Sequence, residues 1–362
     1  MPSPREVSTM NRDYSELALA CEDMLTQNEF YRPTPFWHEA SSRIVDEIQI
    51  NGIECFRALP APLGFFVPTY GSPGNSFNKT QCAGLRRWLA DNCQQEMKPQ
   101  WALDRLLSGR NSAEADYRVL QAADNAERLP HLHTFSECTA GQPIEHFEFE
   151  GRRFSRSSLN YLLGLALLKK HVPPEYVPRT VLEIGGGFGT LGEILNASSI
   201  EGLRYIDIDI PPTSFVAQWY LQKATGEDSV TTHAMTRARP EIDIASLNRI
   251  SVLCAWQIEK LRGSVDLFVN FISFQEMEPQ VVRNYLAHVE RLDAGWLLLR
   301  NMREGKQKKT AIDSIGVDSP IRTDDYLGML PNYELVARNV CPFGFQTVDG
   351  YHSEILILRR TS

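Results

Sequence analysis

The stretch of sequence that decides the fold is VLEIGGGFGTLGEIL, from Val181 to Leu195. It begins as an apolar, β-branched run, continues as a turn with four glycines in five residues, and ends in helix-forming residues. Glycines let the backbone turn tightly and come close to a ligand without side-chain obstruction. The stretch therefore predicts a buried strand, a ligand-binding turn and a helix in direct succession.

Downstream of this stretch, short β-rich runs alternate with helical or loop segments, which is typical of a parallel sheet. The five runs are Thr180–Ile184, Leu203–Ile208, Ser251–Ala255, Val265–Phe271 and Trp296–Leu299. Two further strand-like segments, Tyr333–Val340 and Glu354–Leu358, are joined by a Pro/Gly-containing loop with no helix between them. An antiparallel hairpin that closes a parallel sheet is typical of the Rossmann-like class I methyltransferase fold, an α/β fold with a seven-stranded mixed sheet.

The sequence predicts a mainly helical region over residues 1–150 and the sheet domain over residues 151–362. Helical spacing runs from Tyr14 to about Glu47, with a break at Arg32–Pro35, and further helix is predicted around Arg86–Leu89 and over Ala102–Asn125. The prolines and glycines of Pro60–Ser76 predict an aromatic loop. The segment Arg153–Lys170 predicts a helix that leads into the sheet domain, with its N-cap among Ser155–Ser158.

Composition narrows the class of protein. The chain has 362 residues, of which 43% are apolar and 23% charged, as in ordinary globular proteins. The 37 basic and 45 acidic residues give a formal charge of −8, which argues against a nucleic-acid partner. Seven scattered cysteines without a Cys-x-x-Cys pair indicate neither disulfides nor structural zinc. The sequence predicts no signal peptide, because Met1–Asp13 is polar, and no membrane partner, because the longest apolar run, Tyr161–Leu168, is too short to span a bilayer. We therefore expect a cytoplasmic protein. Its partners are expected to be small molecules, and a homodimer is one option.

The glycine spacing alone leaves the cofactor open. A dinucleotide pattern, Gly-x-Gly-x-x-Gly, is met from Gly187 through Gly189 to Gly192, so a nicotinamide cofactor stays an alternative. Glu183, two residues before Gly185, favours S-adenosylmethionine instead. A carboxylate there can meet the cationic methionyl end of that molecule but would repel a pyrophosphate. We therefore predict S-adenosylmethionine as the cofactor and S-adenosylhomocysteine as its product.

Residues at the ends of the next strands complete the predicted cofactor site. Asp209 ends the second strand about 20 positions beyond the glycine turn, the separation expected of an acid that accepts hydrogen bonds from ribose hydroxyls; Asp207 is the alternative. Trp256 and Gln257 follow the third strand, where they could stack on and bind adenine, and Asn270 closes the fourth strand near the transferable methyl group. The predicted cofactor-binding residues are Glu183, Gly185, Gly187, Asp209, Trp256, Gln257 and Asn270.

Several motifs together resemble a known family. They are Tyr31–Trp37 (YRPTPFW), Phe56–Arg57, Phe65–Gly71 (FFVPTYG), Glu137 with Gly141–Pro143, Leu182–Gly187 (LEIGGG), Asp209–Pro211 and Ser273–Met277 (SFQEM). Through them most of the chain resembles the bacterial sugar O-methyltransferases of natural-product and polysaccharide biosynthesis. Gln142 departs from the Asn that several members carry. The resemblance implies methyl transfer to a hydroxyl of a sugar or glycosylated metabolite, with residues 1–150 as an acceptor-binding lid.

The reaction needs a base only to take the acceptor's hydroxyl proton, because orientation supplies much of the catalysis. Glu276, just past the fourth strand, is one candidate, although it could instead cap the helix that begins near Pro279. Histidines are the other candidates. His233 in a predicted loop and His352 in the final hairpin loop could face the acceptor, whereas His288 is expected to be solvated on a helix.

The sequence does not decide whether a metal ion takes part or which atom of the acceptor is methylated. No His/Asp/Glu spacing resembles a metal site, so no metal ligand is predicted, but the pair Asp324 and Asp325 could hold a divalent cation if it is not a plain surface turn. Lys306–Lys309 is expected to be a solvated loop or a contact for nucleotide-sugar phosphates. The alternatives to sugar O-methylation are N- or C-methylation of a non-sugar natural-product scaffold, and a catalytically inactive cofactor-binding partner protein.

Overall fold

The computed structural model of the chain describes residues 14–71, 79–92, 97–309, 316–346 and 350–361. The N-terminal part is mainly helical, as predicted. Its helices are α1 (Ser15–Leu25), α2 (Pro35–Asn51), α3 (Pro60–Phe65), α4 (Lys79–Asn92), α5 (Met97–Leu107) and α6 (Arg110–Ala123). The prediction for Met1–Asp13 and most of the second half of the predicted Pro60–Ser76 loop lie outside the described residues.

Two predictions for the N-terminal region were wrong in detail. The predicted loop begins with helix α3, because a proline at the first helical position already has the backbone φ that a helix requires. The single helix predicted from Ala102 to Asn125 is divided between α5 and α6. Gly109 separates them with a left-handed backbone (φ +77°).

The helix that leads into the sheet domain is α7 (Arg156–His171), close to the predicted span. Its N-cap is Ser155, whose side chain accepts a hydrogen bond from the Ser158 N–H, so the predicted capping by the polar run is confirmed. A hairpin of β1 (Phe147–Phe149) and β2 (Arg152–Phe154) precedes it and was not predicted. Strands of three residues are too short to show an alternating pattern.

The elements of the sheet domain follow the predicted alternation. They are β3 (Thr180–Ile184), α8 (Thr190–Asn196), β4 (Arg204–Asp209), α9 (Thr213–Thr225), β5 (Val230–Thr231), α10 (His233–Thr236), β6 (Ile242–Asp243), β7 (Ile250–Cys254), β8 (Leu261–Arg262), β9 (Leu267–Phe271), α11 (Pro279–Arg291), β10 (Trp296–Met302), α12 (Thr323–Met329), β11 (Tyr333–Asn339), β12 (Phe345–Gln346) and β13 (His352–Arg360). The seven predicted strands are all present. Besides β1 and β2, the two-residue strands β5, β6, β8 and β12 were not predicted.

The strand order confirms the fold class. It runs β11-β13-β10-β9-β3-β4-β7-β5, and β12 pairs with β13. The pairs from β10 to β5 are parallel, whereas β13 is antiparallel to both β10 and β11. Counting the two-residue strands β5 and β12, the sheet has nine strands within the described ranges. The seven longer ones form the Rossmann-like class I methyltransferase sheet with its terminal hairpin.

The core lies on both faces of this sheet. Alternate residues of β3 point to opposite faces, so Val181 packs in one buried cluster with residues of α7, α8 and α9, and Leu182 in the other with residues of α11. The same alternation turns Glu183 toward the α7 face. Within the described residues, none of the helices combines the length and apolar character that a membrane span would need.

Candidate functional site

A cavity opens at the carboxyl edge of the sheet, where β3, β4 and β9 end. Its floor includes Gly185, Gly186, Gly187, Asp209, Ile272 and Ser273; its cover includes Phe30, Thr34, Trp37, Leu63, Phe65 and Phe66. Helix α7 adds a side wall of Ser157, Asn160 and Tyr161. Because open α/β sheets bind their ligands beyond the carboxyl ends of the strands, this cavity is the candidate functional site.

The glycine turn forms the floor of the cavity in a way that only glycine permits. Gly185 and Gly187 have left-handed φ values of +74° and +63°. A Cβ atom on Gly185 would lie 2.2 Å from the Ser273 Oγ, whereas a Cβ on Gly187 would have no atom nearer than 3.7 Å. Gly187 thus faces open space, so a ligand can approach its backbone closely.

The structure separates the two candidate acids of β4. Asp209 lines the cavity; its two oxygens accept hydrogen bonds from the backbone N–H groups of Gly187 (3.3 Å) and Ile210 (2.7 Å). Asp207 is fully buried beneath the turn, where it accepts a hydrogen bond from the Gly186 N–H. Of the two, only Asp209 is placed where a ligand hydroxyl could reach it.

Glu183 lies behind the cavity rather than in its lining. Its side chain is fully buried, and its oxygens accept hydrogen bonds from the hydroxyls of Tyr161 (2.6 Å) and Tyr205 (2.5 Å). The sequence predicted direct contact between Glu183 and the cofactor. This geometry does not provide it, because Glu183 is absent from the cavity lining, whereas Tyr161, whose hydroxyl donates to it, belongs to that lining.

Glu183, Asp207 and Asp209 lie close together at this edge of the sheet. Burial raises the pKa of Glu183 and that of Asp209 to about 7, and burial together with its two acidic neighbours raises the pKa of Asp207 well above its usual range. Within the described ranges, no lysine, arginine or histidine forms an ion pair with any of the three. The arrangement therefore favours a cationic ligand.

Two predicted cofactor residues, Trp256 and Gln257, make contacts inside the protein instead. The Gln257 amide accepts from the Cys254 N–H and donates to the Thr236 hydroxyl, and the Trp256 ring packs edge-on against His233. Both side chains are buried and neither lines the cavity. The geometry therefore does not provide the predicted adenine contacts, because the residues turn back into the core after β7.

Asn270 is also buried away from the cavity lining. Its amide nitrogen donates to the Ile184 carbonyl and the Ser273 hydroxyl, while its oxygen accepts from Asn301. Asn270 therefore ties β3, β9 and β10 together instead of facing a methyl group. The next residue but one, Ile272, lines the cavity with φ +73°, a strained value for a β-branched residue.

Glu276 lies in the cavity wall, nearly buried, and connects the cover to the sheet. One carboxylate oxygen accepts from the Trp37 indole N–H (3.0 Å), the other from the Lys306 ammonium group (2.6 Å), and the backbone carbonyl accepts from the Thr34 hydroxyl. The alternative that Glu276 caps α11 is wrong, since Glu278 occupies the N-cap position. Lys306, expected in a solvated loop, is largely buried by this ion pair.

Neither predicted catalytic histidine lines the cavity. His233 begins α10 rather than lying in a loop; it is buried with Nε2 3.1 Å from an Asp23 oxygen, and burial lowers its pKa. His352 begins β13, where Nδ1 lies 2.7 Å from a Glu304 oxygen. His288, expected to be solvated, is half-buried against the Tyr31 hydroxyl. Among the residues that the structure describes, no histidine therefore lines this site as a candidate base.

Asp324 and Asp325, the pair considered as a cation site, make contacts within the protein. Asp325 accepts from the Arg322 N–H at the start of α12, and Asp324 forms an ion pair with Arg338. Across the described part of the chain, no three His, Cys, Asp or Glu side chains are grouped as metal ligands.

Comparison with known proteins adds the following. No protein-family model matches the chain, and no curated protein matches its sequence. Among solved structures, magnesium protoporphyrin IX methyltransferase from Synechocystis PCC 6803 with bound S-adenosylmethionine is 14% identical, over 56% of this chain and 77% of that one, with a TM-score of 0.36. An O-methyltransferase from Bacillus cereus in complex with S-adenosylhomocysteine is 13% identical, over 76% and 97%, with a TM-score of 0.36.

A third similar structure is the 1,6-didemethyltoxoflavin-N1-methyltransferase from Burkholderia thailandensis, at 15% identity over 57% of this chain and 78% of that one, with a TM-score of 0.37. All these identities are below 25% and all these TM-scores below 0.5. The fold class therefore rests on the strand order of this chain, and its function on its own residues.

Proposed function

We propose that the chain is an S-adenosylmethionine-dependent O-methyltransferase that acts on a hydroxyl group of a sugar or glycosylated metabolite. The observation that carries the proposal is the cavity at the carboxyl edge of the sheet, which joins the glycine turn and Asp209 on its floor to Glu276 and an aromatic cover.

The chemistry of the floor fits this cofactor. The Asp209 carboxylate has lone pairs left for two ribose hydroxyls after its two backbone hydrogen bonds. Gly187 leaves room for close backbone approach. The uncompensated acids favour a sulfonium and an ammonium group and disfavour a pyrophosphate, which argues against the nicotinamide alternative.

Glu276 is the base candidate that the geometry favours. The bound cofactor supplies a methyl group whose bonding electrons remain with sulfur, so the acceptor oxygen has only its proton to lose. Lys306 donates to one oxygen of the Glu276 carboxylate, and each carboxylate oxygen still has a free lone pair for that proton. Trp37 fixes the carboxylate from the other side.

The acceptor class is supported by where the family-like motifs meet. Trp37, Phe65 and Glu276 come from three separate motifs that carry the resemblance to sugar O-methyltransferases, and all three line one cavity. Aromatic faces with a few fixed polar groups are typical of small-molecule sites, and a sugar ring presents both apolar C–H and hydroxyl groups to such a wall.

The test is calorimetric titration with S-adenosylhomocysteine, followed by methyl-transfer assays on a panel of glycosylated acceptors and matched aglycones. Glu276→Gln should keep cofactor affinity and lower kcat by about a hundredfold or more, the usual contribution of a general base. Glu278→Gln, two residues away and outside the cavity lining, should keep both. No binding by the wild type would refute the methyltransferase proposal, whereas binding with turnover only on aglycones would refute the sugar acceptor.

A further inference from the structure

Glu183 is paired with two tyrosines that differ in one respect. Both hydroxyls donate to its carboxylate, at 2.6 Å from Tyr161 and 2.5 Å from Tyr205. Tyr161 lines the cavity, with its ring stacked on Phe271 at 4.7 Å. Tyr205 is fully buried under the glycine turn, against Gly192, and does not line the cavity. One acid thus has one tyrosine partner that lines the cavity and one that does not.

The proposed function sets the direction of the ligand along the sheet edge. With the ribose at Asp209 after β4 and the acceptor at Glu276 after β9, the sulfur lies over the glycine turn after β3, which is between them in the sheet. The amino-acid tail then extends toward the remaining wall, which α7 forms with Ser157, Asn160 and Tyr161.

Resting on that proposed function, we propose that the phenolic oxygen of Tyr161 binds the α-ammonium group of the cofactor, and that Glu183 acts through this hydroxyl. A phenol that donates its proton to a carboxylate keeps a lone pair to accept an ammonium N–H. The carboxylate also increases the negative charge on that oxygen, because hydrogen bonds in a chain polarise one another. Tyr161 is thus a binding residue and Glu183 a positioning residue.

The surroundings support this assignment. No Lys, Arg or His of the described residues pairs with Glu183, so the buried carboxylate lacks a cation until a ligand brings one. Burial raises the pKa of Glu183 to about 7, the direction expected of an acid without a countercharge.

The experiment compares Tyr161→Phe with Tyr205→Phe in the full chain by calorimetry. Each variant loses one hydroxyl that donates to Glu183, but only Tyr161 belongs to the cavity lining. Two ligands are titrated: S-adenosylhomocysteine, which has the ammonium group, and 5′-methylthioadenosine, which lacks the amino-acid tail. Tyr161→Phe should weaken S-adenosylhomocysteine about tenfold or more, as expected for a hydrogen bond to a charged group, and leave 5′-methylthioadenosine unchanged. Tyr205→Phe should leave both affinities within about twofold.

Each other outcome has a distinct meaning. Equal loss in both variants, or equal loss for both ligands, would assign Tyr161 a structural role and overturn the proposal. Unchanged affinity in Tyr161→Phe would also overturn it, while binding by the wild type would leave the proposed function intact. If Tyr161→Phe does not fold, Glu183→Gln replaces it; removing this charge should weaken S-adenosylhomocysteine selectively. In this experiment, a wild type that binds neither ligand would refute the proposed function itself.

Discussion

The Asp209 carboxylate should make cofactor affinity depend on pH. It lines the cavity, and burial raises its pKa to about 7. Ribose hydroxyls donate hydrogen bonds, so they bind the ionised form better than the protonated one. Affinity should therefore rise as the pH rises through 7. Asp209→Asn has a similar shape but stays neutral, so it resembles the wild type at low pH.

The size of the effect follows from the ionised fraction. With a pKa of about 7, about one tenth of Asp209 is ionised at pH 6 and about nine tenths at pH 8. Since only the competent fraction binds fully, the advantage of the wild type over Asp209→Asn should grow about tenfold between these pH values. The ratio of the two affinities removes effects that both proteins share, including titration of Glu183 and of the ligand.

The assay is calorimetric titration of both proteins with S-adenosylhomocysteine at pH 6, 7 and 8 and constant ionic strength. Thermal unfolding at each pH checks that both proteins are folded. A constant ratio of the dissociation constants from pH 6 to pH 8 would refute the reasoning, since it would mean that the ligand does not sense the charge of Asp209. A ratio that shrinks with rising pH would give the opposite sign and refute it as well.

Two further predictions concern the glycine turn and a buried ion cluster. Gly187→Ala and Gly202→Ala introduce similar backbone strain, at φ +63° and +66°, so each should lower the free energy of unfolding by about 1–2 kcal/mol in chemical denaturation. Only Gly187→Ala should also weaken S-adenosylhomocysteine binding. Weaker binding in both variants would contradict a role of Gly187 at the ligand site. Arg57→Met leaves two buried glutamates without their cation and should lower the free energy of unfolding by about 3–5 kcal/mol. Arg43→Met, at a half-exposed pair, should change it by less than about 1 kcal/mol, and similar losses in both would contradict the assignment.

The sequence predicted the sheet well because its central strands carry their own signal. A strand buried on both faces has a nearly continuous apolar sequence, interrupted by Glu183 in β3 and by Asn270 in β9, and this pattern does not depend on distant residues. The placement of Asp209 at the cavity followed for the same reason, since the exit of a parallel strand fixes the edge at which a side chain lies. Strands of two or three residues have no such signal.

The contacts of the site could not be predicted in this way. Glu276 meets Trp37, which lies 239 residues earlier, and Lys306, which lies 30 residues later. Both tyrosines that hold Glu183 are 22 residues from it in the chain, on opposite sides. No local pattern reports such partners. The sequence predicted that Glu183 lies at the end of its strand, but it did not predict the hydrogen bonds that Glu183 accepts from the two tyrosines.

The resemblance motifs contain a structural part that the proposed reaction does not use. Arg57 and Glu137 come from two different motifs and form a fully buried ion pair, which Glu145 joins. The guanidinium group also lies 4.8 Å from the centre of the Phe188 ring, a residue of the glycine turn. This cluster therefore connects the N-terminal cover to the back of the turn, which explains why sequence features far from the cavity accompany those that line it.

The raised pKa values of the acids at the sheet edge make the stability of the ligand-free protein depend on pH, and the same carboxylates favour a cationic ligand. The pKa values of Glu183 and Asp209 are about 7 in the fold, against about 4 in the unfolded chain. Their contribution to stability is therefore complete below pH 4 and is lost as the pH rises through 7, because the fold holds protons that the unfolded chain releases. A bound cation favours the ionised forms and reverses that loss. A pyrophosphate would increase it, so the acids discriminate between the two cofactor classes where the glycine spacing does not.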